Sequence, residues 1–488
     1  MPPPAPFLID ESLRIVERRY RLPPLADPSA CSPQADPPTA IAVAIEQARR
    51  QMERGEAPDA ALERLFIEAL ARTIRQALRE ECGDPAFQAM VLRHRAVQVR
   101  EYASLSAHAD RDRRQVLAAV DRIAHPAKQR RMASDTLRKA LGRLHALASC
   151  AAWPELHDAA QDLFGRSEAV IGPEAESGPA LRRGVAELAG HPALARLLRL
   201  DALAADDLVR RYQGLWRRNG PASGSATAIA QGTASQRRGA AVEAAAAQAF
   251  EALARRLNGA GAGRAPYRVV TSMRVPGSMP GRAERAKSEW DVVLLRRADA
   301  GTDAAADPDA GMDAHADAAE AQWDVRLLAE AKASVDAAAT DLPRLLRGLR
   351  LLACADEDTV YPFQTRQGTV RLRGASLAAL KTDADSLARS VLYCCDAPAE
   401  AEPRLLGAAG RMQLLSARAS LEFAGALADG GQADPRDLSP LWGRLLTAAE
   451  WKGVLHQYPM LRQARGLMVH IDDWSAAIEG AAAGPVVC

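Results

Sequence analysis

The sequence predicts a multidomain α/β (α+β) protein with an N-terminal all-α domain, a central α-β-β-β-α-β mixed-sheet domain and a mainly helical C-terminal region. Three observations predict this arrangement. The chain has 488 residues, enough for roughly two to four domains of ordinary size. Apolar residues recur at helical spacing through the first half, and strand patterns begin only after residue 266. Helical patterns return after residue 400.

The composition is that of an ordinary globular protein, with 48% hydrophobic residues, 25% charged residues and a formal net charge of +2. No apolar run reaches the roughly 18 residues that a membrane span needs, and the N-terminus lacks a secretory pattern. We therefore expect a cytoplasmic protein with no membrane partner. The seven cysteines show no CxxC spacing, so neither a disulfide framework nor a zinc ribbon is expected. The oligomeric state stays open.

Two segments precede the predicted sheet: a Pro-rich lead-in, residues 1–38, and a helical domain, residues 39–222. One apolar stripe of the helical domain consists of Leu62, Leu65, Phe66, Leu70, Ile74 and Leu78. Its spacing of three and four is typical of an amphipathic helix. Prolines at four breaks divide the domain into separate helices. The segment 219–233 is rich in Gly, Ser and Ala and predicts a linker or an ordered turn.

Residues 232–400 form the predicted mixed-sheet domain. The patterns predict a helix at 236–257, strands at 267–275, 289–297 and 323–332, a helix near 341–354, a short strand at 369–373, another helix and a strand at 390–395. Residues 298–321 interrupt it with seven acids and no lysine or arginine, so we expect a flexible, mobile insertion. Its acids do not match a calcium loop. Residues 401–488 are the mainly helical C-terminal region, with one strand-like stretch at 466–471.

The second and third predicted strands carry the side chains that suggest chemistry. Glu330 and Lys332 share a face of the third strand, because residues two apart in a strand point the same way. If the two strands form an antiparallel hairpin, Asp291 at the beginning of one lies beside Glu330 and Lys332 at the end of the other. Two close carboxylates repel each other unless a cation lies between them, and such oxygen ligands suit Mg²⁺ or Mn²⁺.

Two similar patterns are weaker candidates. Asp324 stands in nearly the same local sequence as Asp291, but the hairpin geometry places it at the opposite end. A second Glu-x-Lys, Glu450-Trp451-Lys452, lies in a helical pattern, where residues two apart do not share a face.

The candidate residues resemble the motif of the PD-(D/E)xK nuclease superfamily, whose members have a restriction-endonuclease-like fold. Asp291 is similar to the acid on the family's second core strand, and Glu330-Ala331-Lys332 is similar to its Glu/Asp-x-Lys tripeptide. Glu243, on the preceding helix, is similar to an additional acid. The resemblance covers about residues 232–396. It departs from the family pattern where Trp290 replaces the proline and where 38 residues separate Asp291 from Glu330.

The resemblance implies a Mg²⁺- or Mn²⁺-dependent nuclease that hydrolyses phosphodiester bonds of nucleic acid; the resemblance alone favours DNA over RNA, and no residue distinguishes the two. Asp291, Glu330, the Ala331 carbonyl and Glu243 would hold the metal, which would activate a water. Lys332 would orient that water or offset charge on the reacting phosphate. Glu289 shares a face with Asp291 and could replace it as a ligand.

Arginines are the candidate contacts to nucleic acid, because the chain has 57 arginines and only six lysines. Arg237 and Arg238 begin the helix that carries Glu243, and Arg344 and Arg347 lie on the helix after the third strand. Such side chains would supply salt-sensitive, sequence-independent affinity. A further group around Trp216 consists of Arg210, Arg211, Arg217 and Arg218. The alternative for each group is a solvated helix face.

Other interpretations stay open. Asp291 and Lys332 could form an exposed ion pair, with Glu330 in solvent. The central domain could then be a catalytically inactive nuclease-like module that binds nucleic acid, with a protein partner on the N-terminal helical domain. The chain could also be a scaffold whose function lies in those helices. No GxxxxGK[ST], HExxH or GxSxG motif occurs in the sequence.

Overall fold

The computed structural model describes residues 6–22, 25, 36–130, 134–166, 178–259, 266–282, 284–298 and 321–481. The chain divides into two compact units. The α/β unit comprises residues 1–70, 223–413 and 439–488, and the helical unit comprises residues 71–222 and 414–438. The insertion predicted at 298–321 lies outside the described residues except for its two ends.

The helices are numbered in chain order. Those before the sheet are α1 (Pro6–Ile15), α2 (Pro37–Glu53), α3 (Ala60–Ala77), α4 (Pro85–Arg95), α5 (Val97–Ser106), α6 (Ala109–Ala124), α7 (Pro126–Gln129), α8 (Asp135–Ser149), α9 (Trp153–Gly165), α10 (Gly178–Ala189), α11 (Pro192–Ala204), α12 (Asp207–Asn219) and α13 (Ala226–Gly259). Those that follow are α14 (Val335–Leu352), α15 (Gly374–Ala378), α16 (Ala384–Ser390), α17 (Ala408–Ser416), α18 (Arg418–Ala428), α19 (Ser439–Thr447), α20 (Lys452–Leu455), α21 (Gln457–Leu467) and α22 (Ile471–Gly480). None of the described helices is both long and apolar enough to cross a membrane.

Within the described residues, seven strands form one sheet. They are β1 (Tyr267–Arg274), β2 (Glu289–Arg297), β3 (Gln322–Lys332), β4 (Val360–Thr365), β5 (Gly368–Arg373), β6 (Val391–Cys395) and β7 (Met468–His470). β1, β2 and β3 form an antiparallel meander, and β6 runs parallel to β3 with β7 parallel to β6. The β4–β5 hairpin pairs with β1 on one side and β3 on the other, so that five strands close into a ring. The predicted mixed sheet with helices on it is confirmed.

Helices cover both faces of this sheet. On one face α14 contributes Leu342, Leu345 and Leu349 to a core that includes Val293 and Leu328. On the other face α13 and α22 contribute Phe250 and Trp474 to a core with Leu294 and Leu327. Leu327 and Leu328 therefore point to opposite faces, as the alternation of a strand buried on both sides requires.

The sequence patterns missed strand β4. Its Pro362 argues against a strand, because proline cannot donate to a ladder. In the structure Pro362 is exposed, and β4 pairs along its length only with β5 while a single pair, Arg274 with Gln364, joins it to β1. Because the β1 side of β4 is almost unpaired, the strand tolerates a proline that has no backbone N–H to donate.

Two helix boundaries also differ from the predictions. The predicted linker at 219–233 is helical from Ala226 onward, since α13 begins there. Its Ala-rich sequence is a good helix former, and only from Val242 does the helix enter the core. Helix α14 begins at Val335 rather than near residue 341, and it accommodates Pro343 in its interior.

The units differ from the predicted domain boundaries. Helix α2, predicted within the helical domain, belongs to the α/β unit, and residues 414–438 of the predicted C-terminal region belong to the helical unit. Helix α1 from the predicted lead-in packs Ile9 and Val16 into the core that holds Trp474. The strand-like stretch predicted at 466–471 is β7. Burial, rather than order along the chain, therefore decides which segments fold together.

The helical unit has its own core. Buried leucines and valines of α6, α8, α9, α10 and α11 pack together, among them Val116, Val120, Leu141, Leu156 and Leu197. The four predicted proline breaks are confirmed as helix starts, since a proline occupies the first or second position of α4, α7, α9 and α11. At α4 the Asp84 side chain also accepts hydrogen bonds from the backbone of Ala86 and Phe87.

Candidate acid and lysine site

Asp291 lies where the pairing between β2 and β3 ends. The last pair of the ladder on this side is Val292 with Ala329. Beyond this pair a side-chain hydrogen bond takes the place of a backbone one. The backbone N–H of Ala331 donates to Asp291 Oδ2 at 2.9 Å. Ala331 directly follows Glu330 and pairs with Cys394 of β6 on its other side. The structure therefore places Asp291 against the Glu330-Ala331-Lys332 tripeptide.

Glu330 is fully buried between two lysines. Its Oε2 lies 2.5 Å from Lys287 Nζ and 3.2 Å from Lys332 Nζ. Its Oε1 is buried without a hydrogen-bond partner in the described residues. The alternative with Glu330 in solvent is therefore wrong.

Lys332 is held by a second acid, Asp341 of α14. The distance from Lys332 Nζ to Asp341 Oδ2 is 3.4 Å, and the Tyr393 hydroxyl donates to the same oxygen at 3.3 Å. Tyr393 also places its ring 6.0 Å from the ammonium. Residues of β3, α14 and β6 therefore hold the Lys332 ammonium in place. Its ion pairs are with Glu330 and Asp341 rather than with Asp291.

Lys287 is a site residue that the sequence patterns did not predict. It lies in the loop before β2, where its backbone N–H donates to the carbonyl of Arg344 on α14. Its Cβ lies so close to Gly348 that a side chain at that glycine would meet it. One signal could have found it: lysine is rare in this arginine-rich chain, and one of its six lysines, Lys287, lies four residues before Asp291.

Burial and neighbouring charges shift the pKa values of this cluster. Burial raises the pKa of Glu330 to about 8, the Asp291 charge adds to the rise, and Lys287 and Lys332 offset it only in part. For Lys332, burial alone would lower the pKa, but Glu330, Asp341 and Asp291 outweigh it and raise the pKa above its usual range. The Lys332 ammonium therefore keeps its proton at neutral pH.

Glu243 approaches the Asp291 end of the cluster from α13. Its Oε1 is buried without a hydrogen-bond partner in the described residues, and Arg366 Nη2 lies 3.6 Å from that oxygen. Burial raises the pKa of Glu243, and the nearby charge of Asp291 raises it further, while Arg366 and the Ser272 hydroxyl act in the opposite direction. The structure thus brings together Asp291, Glu330 and Lys332, and it places Glu243 near Asp291 and in contact with Arg366.

The backbone beside Asp291 is irregular. Ser272, at the position of β1 opposite Asp291, has a φ of 51°, in the left-handed region that residues with a side chain rarely adopt. On β2, Trp290 and Val293 pack into the same core although they are three residues apart, so the two-residue alternation breaks at Asp291. Such departures cost of order 1–3 kcal/mol each and cluster at functional sites.

The predicted nucleic-acid contacts are exposed. Arg237 and Arg238 lie on α13, where Arg238 is 3.4 Å from Asp396, and Arg344 and Arg347 lie on the outer face of α14. Arg347 donates to the carbonyl of Arg285 at 2.9 Å. The arginines around Trp216 belong to α12 of the helical unit, where Arg211 pairs with Glu80 at 3.1 Å.

The weaker candidates have other partners. Asp324 receives two hydrogen bonds from the guanidinium of Arg373, at 2.8 and 2.5 Å. Glu450 of the second Glu-x-Lys is exposed and pairs with Arg444 at 2.7 Å. Glu289 pairs with Arg274 at 3.4 Å on the Glu243 side.

The carboxylate oxygens of this cluster are the type of ligand that a hard divalent cation binds. Glu330 Oε1 and Glu243 Oε1 are buried carboxylate oxygens without hydrogen-bond partners in the described residues, and each is the kind of oxygen that such a cation binds. Within the described ranges, however, no three acid, histidine or cysteine side chains are already arranged as a metal site. A cation site here would therefore require the carboxylates to move and the Glu330 ion pairs to loosen.

No protein-family model, curated protein or solved structure matches the chain.

Proposed function

We propose that the protein is a Mg²⁺- or Mn²⁺-dependent nuclease that hydrolyses phosphodiester bonds of nucleic acid, with DNA as the preferred substrate. The observation that carries the proposal is the fully buried Glu330, which has one oxygen unbonded and the other against two lysines, next to Asp291. Burying a carboxylate in this way is costly and is typical of functional sites.

The topology supports the proposal. The meander β1–β2–β3, the helix α14 and the strand β6 parallel to β3 follow the α-β-β-β-α-β order of the restriction-endonuclease-like fold, with the β4–β5 hairpin as an insertion that closes the ring. Asp291 and the Glu330-Ala331-Lys332 tripeptide lie at the same end of β2 and β3. The order of the elements supports the resemblance to PD-(D/E)xK nucleases, whereas the closed ring of five strands was not predicted.

The side chains suggest a division of roles. Asp291 and Glu330 would hold the cation, with Glu243 approaching from α13 and the Ala331 carbonyl as a further donor. A bound divalent cation would polarise the phosphodiester and lower the pKa of an attacking water. Lys332 keeps its proton, so it offsets charge that develops on the phosphate rather than acting as a base. Asp341 and Tyr393 hold Lys332 in place.

Cleavage of plasmid DNA tests the proposal. We expect the wild type to cut with Mg²⁺ or Mn²⁺ and to stop when EDTA is added. Lys332→Met should lose activity by about 100-fold or more, the magnitude for removing one transition-state charge stabiliser. The matched control is Lys381→Met, since Lys381 is an exposed lysine. A folded wild type that cuts neither DNA nor RNA with either ion would refute the proposal.

A second candidate is a nuclease-like module that binds without cutting, with a protein partner on the helical unit. The observation that favours it is that both lysines already contact Glu330 Oε2, while no three acid, histidine or cysteine side chains in the described ranges could hold a metal ion. The cleavage assay separates the two functions when it is combined with a gel-shift assay. A binding module would retard the DNA without cutting it in every metal condition.

A further inference from the structure

A cavity lies beside the carboxylate cluster. It has a volume of about 370 Å³ and is lined by Ser272, Arg274, Glu289, Gln364, Thr365 and Arg366. Ser272 is the residue opposite Asp291 in the β1–β2 register, and Arg366 is the ion-pair partner of Glu243. The cavity therefore adjoins the outer side of the candidate metal site.

The β4–β5 turn holds Arg366 in place. The Arg366 backbone N–H donates to the Thr271 carbonyl at 2.9 Å. The Gln367 side chain accepts from the Thr271 backbone at 2.9 Å and donates to the Thr271 hydroxyl at 3.1 Å. Thr365 Oγ1 closes the turn by donating to the Gly368 carbonyl at 2.6 Å, and Gly368 supplies the required φ of 106°. The base of the Arg366 side chain is thus fixed next to Ser272.

The two arginines of the cavity are only loosely paired. Arg274 lies 3.4 Å from Glu289 and Arg366 lies 3.6 Å from Glu243, both beyond the usual 2.7–3.2 Å hydrogen-bond range. Each arginine side chain is 69% exposed. By contrast, Arg373 is committed to Asp324 through two short hydrogen bonds. Arg274 and Arg366 therefore keep donors available for an anion.

We infer that Arg274 and Arg366 form a phosphate-binding subsite, which takes a backbone phosphate of the nucleic acid next to the one that is cleaved. The inference rests on the proposed function. Planar guanidinium groups bind phosphate oxygens through paired N–H donors, and two such groups face one cavity here. If Glu243 held a cation, its charge would be offset there, and the Arg366 guanidinium would be freer to bind a phosphate.

Salt-dependent binding and steady-state cleavage test the subsite. The binding probe is a fluorescent DNA oligonucleotide titrated with Mg²⁺ onto Lys332→Met protein, which should not cut it. Adding Arg366→Gln should weaken binding about tenfold, and should reduce the slope of log affinity against log salt by about 0.7 to 0.9, the value for one phosphate contact. In the cutting enzyme Arg366→Gln should raise KM about tenfold with a smaller change in kcat. Arg274→Gln should behave in the same way.

Two further variants sharpen the test. Arg366→Lys keeps the charge but loses the fork, so it should keep the salt slope and recover only part of the affinity. Arg371→Gln, an exposed arginine on β5 outside the cavity, should leave slope, KM and kcat unchanged. A wild type that does not cut overturns the proposed function. A wild type that cuts while Arg366→Gln keeps its KM and salt slope overturns the subsite alone.

Discussion

Strands β2 and β3 contain nearly the same local sequence, Trp290-Asp291-Val292 and Trp323-Asp324-Val325, yet their aspartates have different surroundings. Asp324 is neutralised by the Arg373 guanidinium through two hydrogen bonds. Asp291 accepts a backbone N–H from Ala331 and lies near two further carboxylates, Glu330 and Glu243. Local sequence therefore does not decide which aspartate could do chemistry.

Position in the hairpin makes the difference. Asp324 faces Arg296 in the β2–β3 ladder, with a paired residue on each side of it, and β5 supplies Arg373 beside it. Asp291 stands where β2 and β3 part, opposite the strained Ser272. An aspartate in a regular ladder can be satisfied by a cross-strand cation, whereas one at a diverging end has room for a ligand. The comparison contrasts a structural acid with a candidate functional one.

The most direct way to break this comparison is to convert each aspartate to asparagine. We expect Asp291→Asn to lower the rate of Mg²⁺-dependent DNA cleavage by about 100-fold or more, because a carboxylate ligand is lost. Asp324→Asn should change the rate by no more than about threefold. The measurement is the initial rate of plasmid nicking, with circular dichroism to verify folding. Equal losses in the two variants would show that the aspartates do not differ in function.

A second test concerns the pH dependence of stability in EDTA. The pKa of Glu330 is raised from 4.5 to about 8, so between these values the folded protein binds a proton that the unfolded chain does not. The contribution of Glu330 is therefore fully present below pH 4.5 and is lost as the pH rises toward 8. Relative to Glu330→Gln, the wild type should lose at most about 1.4 kcal/mol per pH unit over that window.

Urea titrations of both proteins at pH 5, 6, 7 and 8 measure this difference. The Glu330→Gln protein is the matched control, because glutamine has the same shape and does not titrate. Parallel stability curves would mean that Glu330 is ionised at all these pH values, and that the lysines outweigh its burial.

The smallest expected effect is on stability at pH 7. Asp324→Asn should lower the free energy of unfolding by about 1 kcal/mol or less, because Arg373 is partly exposed and solvent screens the pair. Asp291→Asn should leave stability unchanged or raise it, because asparagine can still accept from Ala331 while its repulsion of Glu330 disappears. Denaturation midpoints measure both. A loss larger for Asp291→Asn than for Asp324→Asn would assign Asp291 a structural role.

The hairpin and its acids could be predicted because they depend on short-range rules. The apolar run with Trp290 predicted the strand at 289–297 to the residue, and antiparallel geometry alone predicted that Asp291 lies beside Glu330. The same rules separated Asp324 from the site. These inferences need no knowledge of how distant segments pack.

The remaining site residues depend on packing that no local pattern contains. Lys287 reaches Glu330 only because its loop lies on α14, and Asp341 reaches Lys332 from that same helix. Arg366 lies on the β4–β5 turn, which places it beside Glu243. Strand β4 was not predicted because it contains Pro362. The unit boundaries were missed for a similar reason, since burial of α1 and α2 joins segments far apart in the chain.

The contact between the Lys287 ammonium and Glu330 depends on the glycine at position 348. A methyl group at this position on α14 would lie 2.7 Å from the Cβ of Lys287 and 3.2 Å from its backbone nitrogen, so the loop would have to lift away from the helix. The ammonium would withdraw from Glu330, and the loss of its charge would raise the pKa of that carboxyl group further. The pKa of Glu330 on β3 thus depends on the absence of a side chain at Gly348 on α14.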